Sequence, residues 1–218
     1  MVYGATFEPK LSERQAMVLR ALVSTYVERA APVASQVLAQ RMPTPLSLSP
    51  ECLGWARTAQ YTTTVADDGD VQLRSEAGGP TRYYIRRRGP DRLELTQADD
   101  GDAERSLLFV EQVEVLERYL FGLFADDIRE DLELPFLDLP YGADDLAAGF
   151  ELTDMVRGYR TLTRTGSGPV AAAPDPALSL LALVPLSHFL GWSVRDLKRS
   201  FLSPHGRPLI AGQSYARP

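Results

Sequence analysis

The sequence predicts an α+β fold, in which an antiparallel β-meander packs with a long central helix and with C-terminal helices. Two observations lead to this prediction. In the middle of the chain, short runs of β-branched and aromatic residues alternate with Asp-Gly and Gly-Pro turn signals. Runs with apolar residues at helical spacing follow this region and also precede it. Strands in the middle and helices at the ends are typical of the α+β class.

Five strands are predicted between residues 60 and 110. Their sequences are QYTTTVA, VQLR, TRYYIRRR, RLELTQA and SLLFV, separated by the turns DDGD, EAGGP, GPDR and a second DDGD. Such close spacing favours antiparallel hairpins. One or two further strands are predicted in FELTDMVRGYRTLTRT, whereas TGSGPVAAAPDP is predicted to be a loop.

The longest predicted helix covers residues 111–132. A short helix is expected at residues 51–59, before the first strand. Residues 178–190 are predicted to form an apolar helix that ends at Gly191, and Ser193 is expected to cap a last amphipathic helix, VRDLKRSFL. The apolar stripe of the longest helix contains Val113, Leu116, Leu120, Phe124 and Ile128.

Residues 1–50 are predicted to form an N-terminal helical segment, and residues 51–218 a separate α+β domain. The first 50 residues contain helix patterns at 11–31 and 33–41. Because the apolar side chains of the first pattern must be buried, we expect this segment to pack on the core.

The composition of the chain restricts the classes of protein to which it can belong. The 218 residues are 44% apolar and 24% charged, as in ordinary globular proteins. No apolar run is long enough to span a membrane, and the N-terminus lacks the pattern of a signal peptide. A single cysteine, Cys52, excludes an internal disulfide. We therefore expect a cytoplasmic protein.

The charges are unevenly distributed along the chain. The net charge is −6, yet residues 98–154 hold seventeen carboxylates against three arginines, so the remainder carries a positive balance. This distribution predicts distinct acidic and basic faces and points to association with another molecule. The two basic clusters are Arg82, Arg86, Arg87, Arg88 and Arg92, and then Arg195, Lys198, Arg199 and Arg207.

The residues favour no enzyme, metal or cofactor chemistry. Only His188 and His205 could serve as imidazole bases, and His188 lies in an apolar helical pattern that indicates a packed core residue. Cys52 has no basic neighbour along the chain that would lower its pKa. The chain has no nucleophile elbow, phosphate loop or Cys and His pairs at metal spacing.

The segment FADDIREDLELPFLDLPYGADDL, residues 124–146, mixes carboxylates with apolar residues and contains only one cation, Arg129. A catalytic cluster, a Mg²⁺ or Ca²⁺ site, a partner-binding surface and a solvated helix end are all compatible with it. Asp126 and Asp127 fall near a predicted helix C-terminus, where the macrodipole disfavours negative charge. A positively charged partner explains that placement better than folding does.

A nucleic-acid partner is weakly indicated. Arg86, Arg87 and Arg88 follow two tyrosines, but on a strand Arg87 shares a face with Tyr83 while the other two arginines point to the opposite face. The basic patch is therefore small, and the negative net charge argues against nucleic-acid binding.

The N-terminal sequence LSERQAMVLRALVSTYVERAAPVASQVLAQRM resembles the start of the heat-inducible transcription repressors, which have a winged-helix fold. The resemblance implies a DNA-binding regulator as the alternative function. The next segment, LSLSPECLGWARTAQY, would be the recognition helix. Its only basic residue is Arg57, whereas Cys52, Leu53 and Trp55 suit contact with protein.

A second resemblance covers residues 55–210. WARTAQY, TRYYIRRR, ERYLFGLFADDIR, DDLAAGFEL and VPLSHFLGWSVRDLKRSFLSPHGRPL resemble bacterial immunity proteins that neutralise tuberculosis-necrotizing-type toxins, which are secreted NAD glycohydrolases. This resemblance implies a cytoplasmic, non-enzymatic antitoxin that binds its cognate toxin domain and blocks the NAD site. It leaves the oligomeric state open.

The acidic and aromatic surface of residues 124–146 is the predicted toxin-binding site. Carboxylates suit it because a site for NAD pyrophosphate presents positive potential. Tyr141 is a candidate anchor, since tyrosine is enriched in binding hot spots. The candidate residues are Asp126, Asp127, Asp138, Tyr141, Asp144 and Asp145.

Overall fold

The structure, a computed structural model, describes residues 46–75, 79–89 and 91–218. Its helices and strands belong to a unit formed by Leu46–Val65 and Asp70–Pro218. The two helices predicted within residues 11–41, their expected packing on the core and the winged-helix resemblance lie outside the described residues. The proposed boundary between residues 50 and 51 stays a prediction.

The described chain contains an eight-stranded sheet in which every neighbouring pair is antiparallel. The strand order is β1-β2-β3-β4-β5-β8-β7-β6. The first five strands form the predicted meander, and the α+β class is confirmed. The strands are β1 Tyr61–Val65, β2 Val71–Ser75, β3 Arg82–Gly89, β4 Arg92–Ala98, β5 Arg105–Val110, β6 Phe150–Leu152, β7 Tyr159–Arg164 and β8 Gly168–Pro174.

Strand β8 corrects the prediction that residues 165–176 form a loop. It lies between β5 and β7, with Ala172 paired to both Phe109 and Thr161. Its residues have low strand propensity, but bonding to two neighbouring strands overrides that preference. Ala171 and Ala173 are buried. Their small side chains let a helix approach the sheet closely.

Four α-helices follow the predicted pattern in the described residues: α1 Pro50–Thr58, α2 Val113–Asp131, α3 Pro176–Phe189 and α4 Val194–Phe201. Ser49 caps α1, Asp175 caps α3, and Ser193 caps α4 as predicted. A short hairpin of β9 Ile210–Ala211 and β10 Ser214–Tyr215 ends the fold. None of the helices in the described part of the chain is both long and apolar enough to cross a bilayer.

Helix α2 is the centre of the core. Leu116, Leu120, Phe124 and Ile128 recur every four residues and are almost fully buried, which confirms the main part of the predicted stripe. Burial of each such side chain contributes about 1.5–3 kcal/mol to stability. The ring of Phe124 lies 4.8 Å from that of Tyr61. The other three helices, α1, α3 and α4, all contact α2. Further side chains of α2 that are buried are Val115, Phe121 and Ala125.

Two helical glycines provide a test of this packing. A Cβ on Gly122 of α2 would come within 2.5 Å of the Phe189 ring, which is itself held against Phe201. A Cβ on Gly54 of α1 would meet nothing within 4 Å. We expect Gly122→Ala to destabilise the protein by about 1–3 kcal/mol because of overpacking.

Gly54→Ala is the matched control, and we expect it to stabilise the protein by about 0.5–1 kcal/mol through helix propensity alone. Urea unfolding of both variants measures the difference. A stabilising effect of Gly122→Ala would contradict the close approach of α2 and α3.

Candidate functional site

A groove of about 420 Å³ lies between α2, α3 and the loop that follows α2. We call residues 132–149 the α2–β6 loop. Gly122, Ala125 and Asp126 form the α2 side, and Leu181 and Pro185 form the α3 side. The loop contributes Phe136, Leu137, Asp138, Leu139 and Tyr141. The groove is thus mainly apolar, with carboxylates among its lining residues.

The structure brings three of the six candidate residues to this groove: Asp126, Asp138 and Tyr141. Asp138 is exposed, and half of the Tyr141 surface is accessible. Within the described residues, none of the three makes an ion pair with an arginine or lysine of the same chain. Their charge and aromatic surface are available to another molecule.

The other three candidates do not line the groove. Asp127 lies on α2 beside Tyr61, whose hydroxyl hydrogen-bonds to its carboxylate. Asp144 and Asp145 lie in a single 3-10 turn, Ala143–Asp145, farther along the loop. The Asp145 carboxylate accepts a hydrogen bond from the Gly142 backbone at 3.0 Å. Asp145 therefore shapes the loop, whereas Asp144 is exposed.

Among the described residues, Arg129 is the one buried cation that lines the groove, and only 2% of its surface is exposed. Its Nη1 donates to the carbonyls of Phe201 and Ser203 at 2.6 and 2.7 Å. Its Nη2 donates to Pro204 at 3.1 Å, and both Nε and Nη2 donate to Pro135. Burial lowers the pKa of Arg129, but a guanidinium remains protonated in proteins. This side chain joins α2, its loop and the end of α4.

The start of the loop has a defined backbone geometry. Leu134 N–H donates to the Arg129 carbonyl at 2.8 Å, and Glu133 N–H donates to Glu130 at 3.0 Å. This is the pattern of a Schellman motif. Glu133 adopts φ 54°, a left-handed conformation that usually favours glycine. The loop therefore leaves α2 in one direction.

The far part of the loop is held by α3 and the terminal hairpin. Tyr215 donates its hydroxyl to the Pro140 carbonyl at 2.9 Å. His188 Nε2 lies 2.7 Å from the Asp145 carbonyl, and its ring stacks on Tyr215 at 3.6 Å. Burial lowers the pKa of His188. The structure thus gives His188 a positioning contact within the packed fold, in keeping with the sequence prediction.

The carboxylates of α2 carry an electrostatic cost. Partial burial raises the pKa of Asp126, and the neighbouring charge of Asp127 raises it further. Burial also raises the pKa of Asp127, although its hydrogen bond with Tyr61 acts in the opposite direction. Both residues lie near the C-terminus of α2, where the helix dipole is unfavourable to them. The charge of Arg129 partly offsets this effect on Asp126, but the net direction of its pKa remains upward.

Three arginines of the first basic cluster are paired with carboxylates. Arg82 pairs with Asp100 at 2.5 Å, and Arg88 pairs with Glu94 at 2.5 Å. Arg86 pairs with Asp70 and Glu104. These pairs correct the prediction of distinct faces for this part of the sheet, because carboxylates from the turns and from β4 neutralise the arginines.

Helix α1 covers the sequence segment that the winged-helix resemblance would make the recognition helix, but several of its side chains are buried. Cys52, Trp55 and Ala56 face the core, and Trp55 Nε1 donates to the Phe121 carbonyl at 3.0 Å. Burial, followed by the charge of Glu117, raises the pKa of Cys52 to about 12. The thiol is protonated at neutral pH and is a poor nucleophile.

Metal binding was one of the alternatives for the acidic segment. Among the described residues, no three His, Cys, Asp or Glu side chains come together in an arrangement that could hold an ion.

Residues 55–209 match the family described as Immunity protein 61. This chain belongs to the Immunity protein 61 family. Two similar proteins are the "Immunity factor for TNT" of Mycobacterium tuberculosis and the "Immunity factor for TNT homolog" of Mycobacterium bovis. Each is 30% identical over 176 residues, which cover 76% of this chain and 93% of the relative. The family resemblance predicted from the sequence is confirmed.

A solved structure, titled "Rv3902c from M. tuberculosis", has a similar fold. It is 28% identical, with a TM-score of 0.65, and the match covers 74% of this chain and 92% of that chain. The groove, its loop and the eight-stranded sheet all fall within residues 55–209 of the family match, and the terminal hairpin begins just after it at Ile210.

Two residues of this Immunity protein 61 member were missed by sequence reasoning. Phe136 is 78% exposed beside the groove, although PFLDLP would ordinarily place it in a core. Arg129 was noted only as the single cation of the acidic segment. The available signal was that Arg129 is the single cation among carboxylates and apolar residues, a pattern that indicates a structural role for the side chain.

The buried Arg129 provides a test of how the loop is held. We expect Arg129→Met to lower the free energy of unfolding by about 3 kcal/mol or more, because four buried or half-buried carbonyls lose their donor. Arg195→Met, on the exposed side of α4, is the control and should change stability by less than about 0.5 kcal/mol. Urea unfolding gives both values. Equal stability of the two variants would contradict the structural role of Arg129.

The raised pKa of Asp126 predicts a pH-dependent effect. A carboxyl group whose pKa is higher in the folded than in the unfolded state destabilises the fold as pH rises above about 3.9. We therefore expect Asp126→Asn to raise the thermal midpoint at pH 7, and the gain to disappear near pH 3. Asp102→Asn, in the turn between β4 and β5, is the comparison variant. A gain that is equal at both pH values would contradict the electrostatic cause.

Proposed function

We propose that this chain is a cytoplasmic, non-enzymatic immunity protein that binds a cognate secreted NAD glycohydrolase toxin and blocks its NAD site. The observation that carries the proposal is the groove beside α2, where exposed aromatic side chains stand next to carboxylates. Phe136 and Tyr141 supply the aromatic surface, and Asp126 and Asp138 supply the charge. Membership of the Immunity protein 61 family supports a toxin as the partner.

The names of two similar proteins indicate the class of toxin to which the partner belongs. Two proteins that are 30% identical to this chain are described as immunity factors for TNT, and the match covers most of both chains. We infer from them that the cognate toxin of this chain belongs to the same class of NAD-cleaving toxins. A toxin of that class has to bind the negatively charged pyrophosphate of NAD.

The groove surface is complementary to such a site. A pyrophosphate site presents cations or helix N-termini, and both attract carboxylates. Asp126 and Asp138 in the groove, together with exposed Asp144 in the following turn, would face that positive potential. Charge complementarity of this kind mainly accelerates association, whereas buried aromatic contacts slow dissociation. An inhibitor that works by occupying the site requires no catalytic residues of its own.

The combined substitution Asp126→Lys and Asp138→Lys tests the placement of the surface. We expect the Kd for the cognate toxin domain to rise at least about tenfold, mostly through slower association. The difference should shrink as salt is raised, because salt screens exposed charges. Surface plasmon resonance at two salt concentrations gives both rates.

The matched control reverses two exposed carboxylates at turns of the sheet, Asp102→Lys and Asp154→Lys. It makes the same change in net charge, and we expect less than about a threefold change in Kd. Equal effects of the two double variants would show that net charge matters and the groove does not. An unchanged Kd for the groove variant would contradict the proposed surface.

A further inference from the structure

We propose that residues 134–141 form a prefolded inhibitory segment with Phe136 as its anchor. The segment would insert into a pocket of the partner that is apolar inside and cationic at its entrance. This inference rests on the proposed function, because it assigns the contact that the toxin domain would make.

The exposure of Phe136 is imposed by its neighbours. Pro135, on one side, accepts hydrogen bonds from the buried Arg129 side chain. Leu137, on the other side, is 8% exposed and packs on Gly206, where an added Cβ would lie 2.6 Å from Leu137 Cδ1. With both neighbours fixed, the Phe136 ring is held in solvent at 78% exposure. Exposed large apolar groups on rigid loops commonly mark binding sites.

The other end of the segment is also fixed. The Tyr215 hydroxyl binds the Pro140 carbonyl, and the stacked His188 ring contacts the Asp145 carbonyl. A third contact follows at Ala147, whose N–H donates to Ser187 Oγ at 3.1 Å. A segment restrained at both ends loses little conformational entropy on binding, so more of the contact energy appears as affinity.

The order of side chains defines the partner's chemistry. Within six residues the segment presents an aromatic ring at Phe136, a carboxylate at Asp138 and a second aromatic ring at Tyr141. An apolar pocket flanked by cations complements this order. A dinucleotide site that stacks an aromatic ring and binds pyrophosphate offers both features. The segment therefore fits the NAD cleft better than it fits a flat protein surface.

The anchor is tested by Phe136→Ala in the full chain, with a catalytically inactive domain of the cognate NAD glycohydrolase toxin as the probe. We expect the Kd to rise at least about 30-fold, mainly through faster dissociation, as for other hot-spot aromatics. Phe136→Tyr, which keeps the ring, should retain most of the affinity. Val156→Ala removes a similarly exposed apolar side chain from the β6–β7 connection and should change the Kd less than about twofold.

Prefolding is tested by Tyr215→Phe, which removes only the hydroxyl that binds Pro140. We expect faster amide hydrogen exchange in residues 134–147 of the free protein and a Kd about 3–10-fold higher. Tyr159→Phe, on β7 and away from the segment, is the matched control and should change neither. Unchanged exchange and unchanged Kd for Tyr215→Phe would overturn the prefolded state.

The outcomes separate this inference from the proposed function. If the wild-type chain binds the toxin domain and blocks NAD cleavage while Phe136→Ala keeps its Kd within twofold, the anchor is wrong and the immunity function stands. If the wild-type chain does not bind the toxin domain at all, the proposed function fails and this inference fails with it.

Discussion

The hydrogen bonds of the buried Arg129 guanidinium are the interaction on which the rest of the site depends. They connect the last turns of α2 with Pro135 of the loop and with the chain that follows α4. Within the described residues no carboxylate pairs with this guanidinium. Carbonyl dipoles at and beyond the C-terminus of α4 stabilise its charge instead. A positive charge is therefore placed under the loop, where it attracts the nearby Asp126 without forming an ion pair with it.

This arrangement explains how negative charge and apolar surface coexist beside one groove. Had Arg129 paired with Asp126, the groove would carry a compact ion pair and little net field. Its donors are instead occupied by backbone oxygens. Burial and the charge of Asp127 raise the pKa of Asp126, although the charge of Arg129 acts in the opposite direction. The β3 arginines behave differently, since Arg82, Arg86 and Arg88 are paired in place with carboxylates. Charge is neutralised on that part of the sheet and left open at the groove.

The elements with a clear period could be predicted from the sequence. The alternating runs of the meander and the four-residue repeat of α2 each reflect one buried face, so local pattern was sufficient. Strand β8 was mistaken for a loop because its Gly, Pro and Ala residues carry no strand signal. Its place in the sheet is decided by backbone hydrogen bonds to β5 and β7. Strand β5 lies 50 or more residues earlier in the chain, and β7 lies about ten residues earlier.

The carboxylates of the candidate site could be found from composition alone, but the sequence could not tell which of them line the groove. Two of the five carboxylates, Asp126 and Asp138, lie at the groove together with Tyr141, because α2 presents Asp126 and Asp127 on different sides and because the loop turns at Gly142. Phe136 was missed for a related reason. In PFLDLP every apolar residue is an equal candidate for the core. Which one is left outside is decided by the contacts of Pro135 with Arg129, of Leu137 with Gly206 and of Pro140 with Tyr215.

In the proposed inhibitor, the rates of association and dissociation are thus controlled by different side chains at one groove. Exposed carboxylates act at long range and govern how often a productive encounter occurs, whereas an anchored aromatic ring acts only at contact and governs how long the complex lasts. Both depend on the α2–β6 loop holding its shape before the partner arrives. A loop that folded only on binding would lose part of the contact energy to ordering. Because Arg129 and Tyr215 already hold the loop in the free protein, the loop becomes ordered when the chain folds and not when it binds its partner.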